Sequence, residues 1–180
     1  TSSYYFEEEK ETDTITEEKL IAAKSGGVNR ISINPQTMNE ETLKRVGRTH
    51  TPQMVKKSFD MARKAGFDNI NMDLIAGLPG ENVEMFKKSL DEVIELDPEN
   101  ITVHSMCIKR AADLKRNIDR LTDSEMMNEM LSYTQKRMKE TKREPYYMYR
   151  QKNSSGNLEN VGYAKEGCMS TYNVNIMEEK

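Results

Sequence analysis

Three segments of this chain share one alternation of apolar and polar residues, with the period of a β-strand that has two unlike faces. They are residues 28–33, 67–72 and 98–103, and each follows a helical pattern and a turn that carries glycine or proline. The segments recur at intervals of 39 and 31 residues. A repeated βα unit of this kind predicts a parallel sheet.

The predicted helices have recognisable ends. Thr51 followed by Pro52 predicts an N-cap and a proline at the first helical position, and that helix should end at Gly66. Thr122 and Glu125 have the spacing of a capping box and predict the start of a later helix. Further helices are predicted over residues 16–24 and 39–46 and along an apolar stripe that begins at Val83.

The two ends of the chain differ in character from this repeat. Residues 2–8 predict another strand, which runs into an acidic stretch. After Arg143, residues 146–149 and 172–177 predict strands, with a polar, glycine-containing segment between them. We therefore expect two parts: residues 1–120 with the parallel sheet, and residues 121–180 as a separate, truncated extension of one helix and short strands, either antiparallel or irregular.

The two faces of the repeated strands predict different surroundings. One face carries Ile31, Ile70 and Ile101 and suits packing against helices, whereas the other carries Ser32, Asn71 and Thr102. Because parallel sheets seldom leave a face bare, a curved sheet whose polar face lines a ligand cavity is favoured over an open sheet with a solvated face. Four parallel strands cannot close a barrel, so we expect the chain to be the C-terminal half of a larger one.

Composition narrows the classes of protein. The net charge of −3 argues against a dedicated nucleic-acid binder, and no apolar run has the length of a membrane span. The two cysteines, Cys107 and Cys168, lie far apart and have no partner at metal-ligand spacing. They predict free thiols in a reducing compartment, and hence a cytoplasmic protein. The 13 methionines are best explained as core filling.

Candidate chemistry gathers where the predicted strands end. Gln36 lies just past the first repeat strand, Arg48 follows in the next loop, and Asp73 is predicted to end the second strand before a glycine-rich turn at residues 77–80. A carboxamide, a guanidinium and a carboxylate at this rim suit a ligand that carries an ammonium, a carboxylate and hydroxyls. His104 should point inward from the last strand, as a contact for a ligand or as a satisfied interior histidine; His50 is best explained as loop structure.

Longer motifs resemble one family. The runs RISINPQTMNEETL from Arg30, GR at Gly47 and NMDLIAGLPG from Asn71 are similar to those of oxygen-independent coproporphyrinogen III oxidases, which are radical S-adenosylmethionine (SAM) enzymes. ITVHSMCIKR from Ile101 and NLENVGYA from Asn157 resemble the coproporphyrinogen dehydrogenase branch of Firmicutes. The resemblance implies an α/β fold: part of a (β/α)6 barrel that holds SAM at its strand ends, with a C-terminal α+β extension.

The resemblance also implies site residues. Gln36, Arg48 and Asp73 would be SAM contacts, and Cys107 would take a position where such proteins usually have alanine. The family's earlier glutamate falls near Glu8, with Glu7 and Glu9 as alternatives, because the sequence departs from the family pattern there. For the four carboxylates of the substrate, the implied contacts are Lys109, Arg110, Arg116 and His104, with a solvated basic loop as the alternative.

One family feature is missing. Such enzymes bind a 4Fe-4S cluster through three closely spaced cysteines, and this chain has only two, which are 61 residues apart. The cluster ligands are expected in a preceding N-terminal part, so the chain alone should be inactive. The complete enzyme would cleave SAM with an electron donor and convert propionates of a tetrapyrrole into vinyl groups, in haem biosynthesis. The alternatives are a haem- or tetrapyrrole-binding carrier of the same superfamily and a non-catalytic remnant.

Overall fold

A computed structural model of the chain describes residues 5–6, 15–106, 123–150 and 159–169. The strands are β1 (Tyr5–Phe6), β2 (Arg30–Gln36), β3 (Asn69–Ala76), β4 (Asn100–Ser105), β5 (Arg143–Arg150) and β6 (Glu159–Lys165). The helices are α1 (Glu17–Ser25), α2 (Glu40–Arg45), α3 (Pro52–Lys64), α4 (Val83–Leu96) and α5 (Asp123–Glu140). The six strands form one sheet in the order β1-β2-β3-β4-β6-β5.

The predicted parallel repeat is confirmed. Strands β1 to β4 are parallel neighbours, and β2, β3 and β4 begin at Arg30, Asn69 and Asn100, which preserves the intervals of 39 and 31 residues. Each connection returns through a helix, which is the crossover that parallel strands require. The α/β class and the resemblance to part of a barrel follow from this arrangement.

The helices begin where the sequence predicts. Thr16, Asn39 and Thr51 each accept a hydrogen bond from the backbone N–H three residues later, so that each satisfies one free donor at the start of its helix. Asn82 caps α4 in the same way, through a 2.9 Å bond from Met85 N to its Oδ1. The start of α5 at Asp123 agrees with the predicted opening at Thr122, which itself lies outside the described residues.

The hydrophobic core lies on one face of the sheet. Ile33, Met72 and Val103 are almost wholly buried there, and they belong to one apolar cluster with Phe59 of α3 and Leu90 of α4. Alternate residues of β2 are only half-buried, as its predicted two-faced pattern requires. The predicted separation into an apolar and a polar face is therefore present, and the polar face is where the candidate site lies.

The strands after α5 correct one prediction. The segment expected to be polar and irregular contains strand β6, which pairs antiparallel with β4 and with β5. Val161 and Tyr163 face the core, so a short alternation sufficed to bury one side of this strand. The extension is antiparallel, which is one of the two predicted alternatives, but its strands continue the main sheet instead of forming a separate layer. The predicted strand at 172–177 and the part of the predicted boundary that falls at residues 107–122 lie outside the described residues, and the division at 120 stays a prediction.

Ion pairs and a hydrogen bond to the backbone fix the β5–β6 hairpin to the segment just before the amino end of β4. Arg143 donates to the carbonyl oxygen of Pro98 at 2.7 Å and to Asp97 Oδ1 at 2.8 Å. Lys165 Nζ lies 2.8 Å from Asp97 Oδ2 and 3.7 Å from Glu99 Oε1. These contacts are at the end of the sheet opposite the candidate site, so they serve to hold the extension in place.

Candidate functional site at the carboxyl ends of the strands

Gln36 and Arg48 meet at the carboxyl end of β2. Arg48 Nε donates a 3.1 Å hydrogen bond to Gln36 Oε1, and both side chains are half-buried. Gln36 is the last residue of the strand, not one beyond it as predicted, and its φ of +62° is left-handed. A non-glycine residue in that region is strained, and such strain tends to occur at ligand sites. Gln36 and Arg48, both predicted at this rim, are thus in contact, and the backbone of Gln36 departs from the extended conformation of a strand.

A buried polar cluster anchors the loop after Gln36. The Thr37 hydroxyl hydrogen bonds to the Glu81 carboxyl group and lies 3.1 Å from Ser89 Oγ, which accepts the backbone N–H of Met38 at 3.1 Å. Glu81 is only 7% exposed, and burial raises its pKa, while the Thr37 hydroxyl opposes that shift. Because Glu81 follows the turn after β3, the cluster ties two neighbouring rim loops together. The sequence analysis did not identify Glu81; its position directly after the glycine-rich turn was the available signal.

The glycine-rich turn after β3 is closely packed. Gly77 has a φ of +86°, and a Cβ atom there would lie 2.5 Å from the carbonyl oxygen of Met106. Arg45 donates to the carbonyl oxygen of Pro79 at 3.1 Å and crosses the surface of Gly80 so closely that a side chain would collide with its guanidinium. Gly77 is required both for the backbone angle and for the space, whereas at Gly80 the positive φ of +80° is the main requirement, because the Arg45 side chain can move.

Asp73 lies on the polar face inside β3. The strand continues to Ala76, so the prediction that Asp73 ends the strand is wrong by three residues; the apolar run after it prolongs the pairing with β4. Asn71 Nδ2 donates to Asp73 Oδ1 at 2.6 Å, and His104 Nε2 lies 3.9 Å from Asp73 Oδ2. The Asp73 side chain is 23% exposed, so it is partly desolvated but still accessible to a ligand.

Hydrogen bonds extend from Asp73 across the neighbouring strands. Asn71 Nδ2 also donates to Ser32 Oγ at 2.8 Å, and Thr102 Oγ1 donates to Asn71 Oδ1 at 3.1 Å. The predicted polar face is therefore a connected network that spans β2, β3 and β4. A connected network holds its members in fixed orientations and prepares the face for polar ligand groups.

Strand β5 adds a residue that the sequence analysis missed. Tyr147 reaches over β6, and its hydroxyl lies 3.5 Å from Thr102 Oγ1. Burial raises the pKa of Tyr147 to about 12, and the hydrogen bond with Thr102 opposes that rise. The alternation in the Tyr146-Tyr147-Met148-Tyr149 run predicted a strand, but nothing in that run indicated which strand would lie beside it.

The other predicted site residues divide into two groups. His104 points to Asp73, whereas His50 is 3% exposed with its Nε2 3.1 Å from the carbonyl oxygen of Pro35, which agrees with a role in loop structure. Several predicted contacts lie outside the described residues: Glu8 and its alternatives Glu7 and Glu9, Cys107, Lys109, Arg110 and Arg116.

The described residues fit one implied cofactor and not the other. The guanidinium and carboxamide at the end of β2, and the partly exposed carboxylate on the polar face of β3, match the carboxylate, ammonium and hydroxyl groups of SAM. In contrast, the described ranges contain no group of three His, Cys, Asp or Glu residues that could hold a metal ion. The ligand set of a 4Fe-4S cluster is thus not formed by these residues. Within the same ranges, no helix is both long and apolar enough to cross a membrane.

Comparison with known proteins identifies relatives of this chain. Residues 9–93 match the profile of the radical SAM superfamily. The chain is 49% identical over 173 residues to the oxygen-independent coproporphyrinogen-III oxidase-like protein HemZ of Bacillus subtilis, covering 93% of this chain and 34% of that protein. It is 38% identical over 104 residues to the heme chaperone HemW of the same organism, covering 58% of this chain and 27% of that protein. The chain thus spans about a third or less of the length of these curated relatives.

The fold has a counterpart among solved structures. Coproporphyrinogen III oxidase (HemN) from Escherichia coli superposes with a TM-score of 0.70 over 98% of this chain and 38% of that chain, at 23% sequence identity. At that identity the likeness shows a common fold and nothing about activity. The profile match, the sequence similarity to HemZ and the shared motifs place this chain in the radical SAM superfamily, with the oxygen-independent coproporphyrinogen III oxidase-like proteins.

Proposed function

We propose that this chain forms part of the SAM-binding rim of an oxygen-independent coproporphyrinogen III dehydrogenase-like enzyme. The observation that carries the proposal is the contact between Gln36 and Arg48 at the carboxyl end of β2, next to strand β3, whose polar face carries Asp73. The whole reaction is the oxidative decarboxylation of tetrapyrrole propionates to vinyl groups, and it depends on parts of the protein outside this chain.

Each of the three residues has a distinct role in this proposal. Arg48 carries a permanent positive charge and binds the carboxylate of SAM, and the bond from Arg48 Nε fixes the orientation of the Gln36 carboxamide. Asp73 accepts hydrogen bonds from the ammonium or a ribose hydroxyl, and Asn71 holds its other oxygen. When SAM is bound and reductively cleaved, it supplies the radical that begins the reaction. The 4Fe-4S cluster needed for that cleavage is expected on residues outside this chain.

The substrate proposal extends the same reasoning. A substrate with four carboxylates requires cationic groups near the strand ends, and the basic residues after β4 are the candidates: Lys109, Arg110 and Arg116. An electron donor and a cytoplasmic location belong to the proposed activity and stay predictions.

A second candidate function is a haem- or tetrapyrrole-binding carrier. The similarity to the heme chaperone HemW of Bacillus subtilis favours it, since that match covers 58% of the chain. The dehydrogenase-like function is preferred because the HemZ match covers 93% of the chain and hence extends further along it.

SAM binding tests the proposed site. In the full-length protein, Arg48→Met and Asp73→Ala should each weaken the binding of S-adenosylhomocysteine about 10- to 100-fold, as measured by calorimetry, because each removes a charge-assisted contact. Arg137→Met and Asp91→Ala are matched controls, since these residues form an ion pair between α4 and α5, 2.7 Å apart. Unchanged affinity in both site variants would refute the proposed SAM contacts.

Product analysis separates the two candidate functions. Anaerobic incubation of the reconstituted full-length protein with coproporphyrinogen III, SAM and a reductant should release carbon dioxide and protoporphyrinogen. A stable complex with haem and no decarboxylated product would instead identify a carrier.

A further inference from the structure

Tyr147 lies beside the single glycine of strand β6. In the register of the sheet, Tyr147 pairs with Gly162, and Gly162 pairs on its other side with Thr102. The Tyr147 side chain therefore crosses one whole strand to bring its hydroxyl near Thr102, at 3.5 Å.

Gly162 is the reason that this crossing is possible. A Cβ atom built on Gly162 would lie 1.9 Å from Cε1 and 2.4 Å from Cδ1 of the Tyr147 ring. Any side chain at position 162 would force the ring off the sheet, because the ring itself lies where that side chain would be. Glycine in the interior of a strand weakens it and often marks a close approach, which here is made by an aromatic ring.

The hydrogen bonds from Tyr147 have a consistent direction. The phenol is placed to donate to Thr102 Oγ1, Thr102 Oγ1 donates to Asn71 Oδ1 at 3.1 Å, and Asn71 Nδ2 donates to Asp73 Oδ1 at 2.6 Å. Every donor in this series points toward the Asp73 carboxylate. Hydrogen bonds aligned in this way polarise one another, so a change at the phenol is felt at the carboxylate.

The charges around the phenol are consistent with a donor role. Burial raises the pKa of Tyr147 to about 12; the hydrogen bond with Thr102 and the charge of Arg30 oppose that rise, and the nearby carboxylate of Asp73 adds to it. The phenol is therefore neutral at physiological pH and keeps the proton that it donates. The first contact of the series is also the longest, at 3.5 Å, so its contribution should be modest.

We propose that Tyr147 is a positioning residue through which the β5–β6 extension orients Asp73 for its ligand. The proposal rests on the proposed SAM contact of Asp73 and adds a function for the extension, which would otherwise be only an additional pair of strands. Tyr147 acts through Thr102 and Asn71, and it does not itself need to touch the ligand.

The test is a set of single and double variants in the full-length protein, with S-adenosylhomocysteine affinity as the readout. Tyr147→Phe should weaken binding about two- to threefold, less than the loss of a hydrogen bond of ordinary length, because the Tyr147–Thr102 contact is 3.5 Å long. Thr102→Val removes the next hydroxyl and should weaken binding by a similar factor. The double variant should bind the ligand as tightly as whichever single variant has the lower affinity, because both substitutions interrupt the same series of hydrogen bonds. In an Asp73→Ala background, Tyr147→Phe should have no further effect.

Controls separate positioning from a general loss of structure. Tyr133→Phe removes a phenol that donates to Asp91 at 2.7 Å on the helical side, so it should leave ligand affinity unchanged. Thermal unfolding of every variant shows whether the fold is retained, and Thr102→Val carries the test if Tyr147→Phe does not fold.

The variants distinguish a failure of the positioning role of Tyr147 from a failure of the proposed SAM contact of Asp73. If Asp73→Ala weakens binding while Tyr147→Phe and Thr102→Val do not, or if their effects simply add to that of Asp73→Ala, the positioning role is wrong and the proposed SAM site stands. If Asp73→Ala itself leaves the affinity unchanged, the proposed SAM contact of Asp73 fails, and the positioning role fails with it.

Discussion

At the scale of single residues, Gln36 combines a side chain that is hydrogen-bonded to Arg48 with an unfavourable backbone. Its φ of +62° lies in the region that glycine tolerates best, yet a glycine would lack the carboxamide that Arg48 holds at 3.1 Å. The sequence identified Gln36 as a candidate from its place near a strand end and its motif. The left-handed backbone could not be predicted, because it arises where the β2–β3 register shifts between Ile33 and Gln36.

The strain at Gln36 predicts an unusual order of stability. Gln36→Gly should be more stable than Gln36→Ala by about 1 kcal/mol, because only alanine carries a Cβ atom into the left-handed region. Both variants lose the carboxamide, so urea unfolding of the full-length protein isolates the backbone effect. Both should also bind S-adenosylhomocysteine more weakly than the parent.

Asn34 provides the matched control, since it lies on the same strand without a positive φ. There the order should be reversed, with Asn34→Ala more stable than Asn34→Gly. The interpretation of Gln36 would be wrong if alanine were also the better replacement at position 36.

Glu81 predicts a pH dependence of stability. Burial raises the folded-state pKa of Glu81 above the ordinary value of 4.5. The stabilisation that the protonated carboxyl group contributes is therefore fully present at pH values below the unfolded-state pKa, and it is lost as the pH rises through the folded-state pKa. Relative to Glu81→Gln, which cannot ionise, the parent protein should lose stability as pH rises above 4.5. Urea unfolding of both proteins between pH 4 and pH 8 measures this difference, and a difference that is constant over that range would contradict the prediction.

At the scale of elements, the β5–β6 hairpin shows where local sequence stops being informative. The tyrosines predicted a strand in β5, but β6 was missed because Gly162 and the polar residues around it suggested a loop. The strand is stabilised by its neighbours on both sides, β4 and β5, and by the burial of Val161 and Tyr163. Strand formation that depends on non-local partners cannot be read from a window of a few residues.

The attachment of the hairpin predicts the effect of one substitution. Arg143 is 1% exposed and binds Pro98 and Asp97, so Arg143→Met should destabilise the protein by about 2 kcal/mol, with the charged hydrogen bonds lost and the backbone oxygen of Pro98 left without this donor. Hydrogen exchange in β5 and β6 should increase more than exchange in β2 and β3. Arg137→Met, at a more exposed ion pair, is the control and should cost less than 1 kcal/mol.

That prediction also tests whether the extension is a structural part of the sheet. Equal increases in exchange over all strands would show that Arg143 supports the fold as a whole, and unchanged exchange in β5 would show that its contacts do not hold the hairpin.

At the scale of the whole molecule, one sheet joins the repeat and the extension. The parallel strands β1 to β4 present the polar face, and the antiparallel pair places Tyr147 beside it. The site therefore draws on residues from the start of β2 to β5, more than 110 positions apart in sequence. Such a site depends on the order of the strands as much as on the motifs that mark its ligand contacts.

The sequence by itself determined the parallel repeat, the helix caps, the two unlike faces and the candidate contacts Gln36, Arg48 and Asp73. These follow from local rules: the period of two in a strand, side chains that satisfy free backbone donors, and the placement of strand ends at one edge of a parallel sheet. Only the tertiary structure decided the partners of Asp73, the burial of Glu81, the left-handed backbone of Gln36 and the packing of the Tyr147 ring on Gly162. Each of these depends on which segments become neighbours, because burial and hydrogen bonding between distant residues exist only after the sheet has assembled.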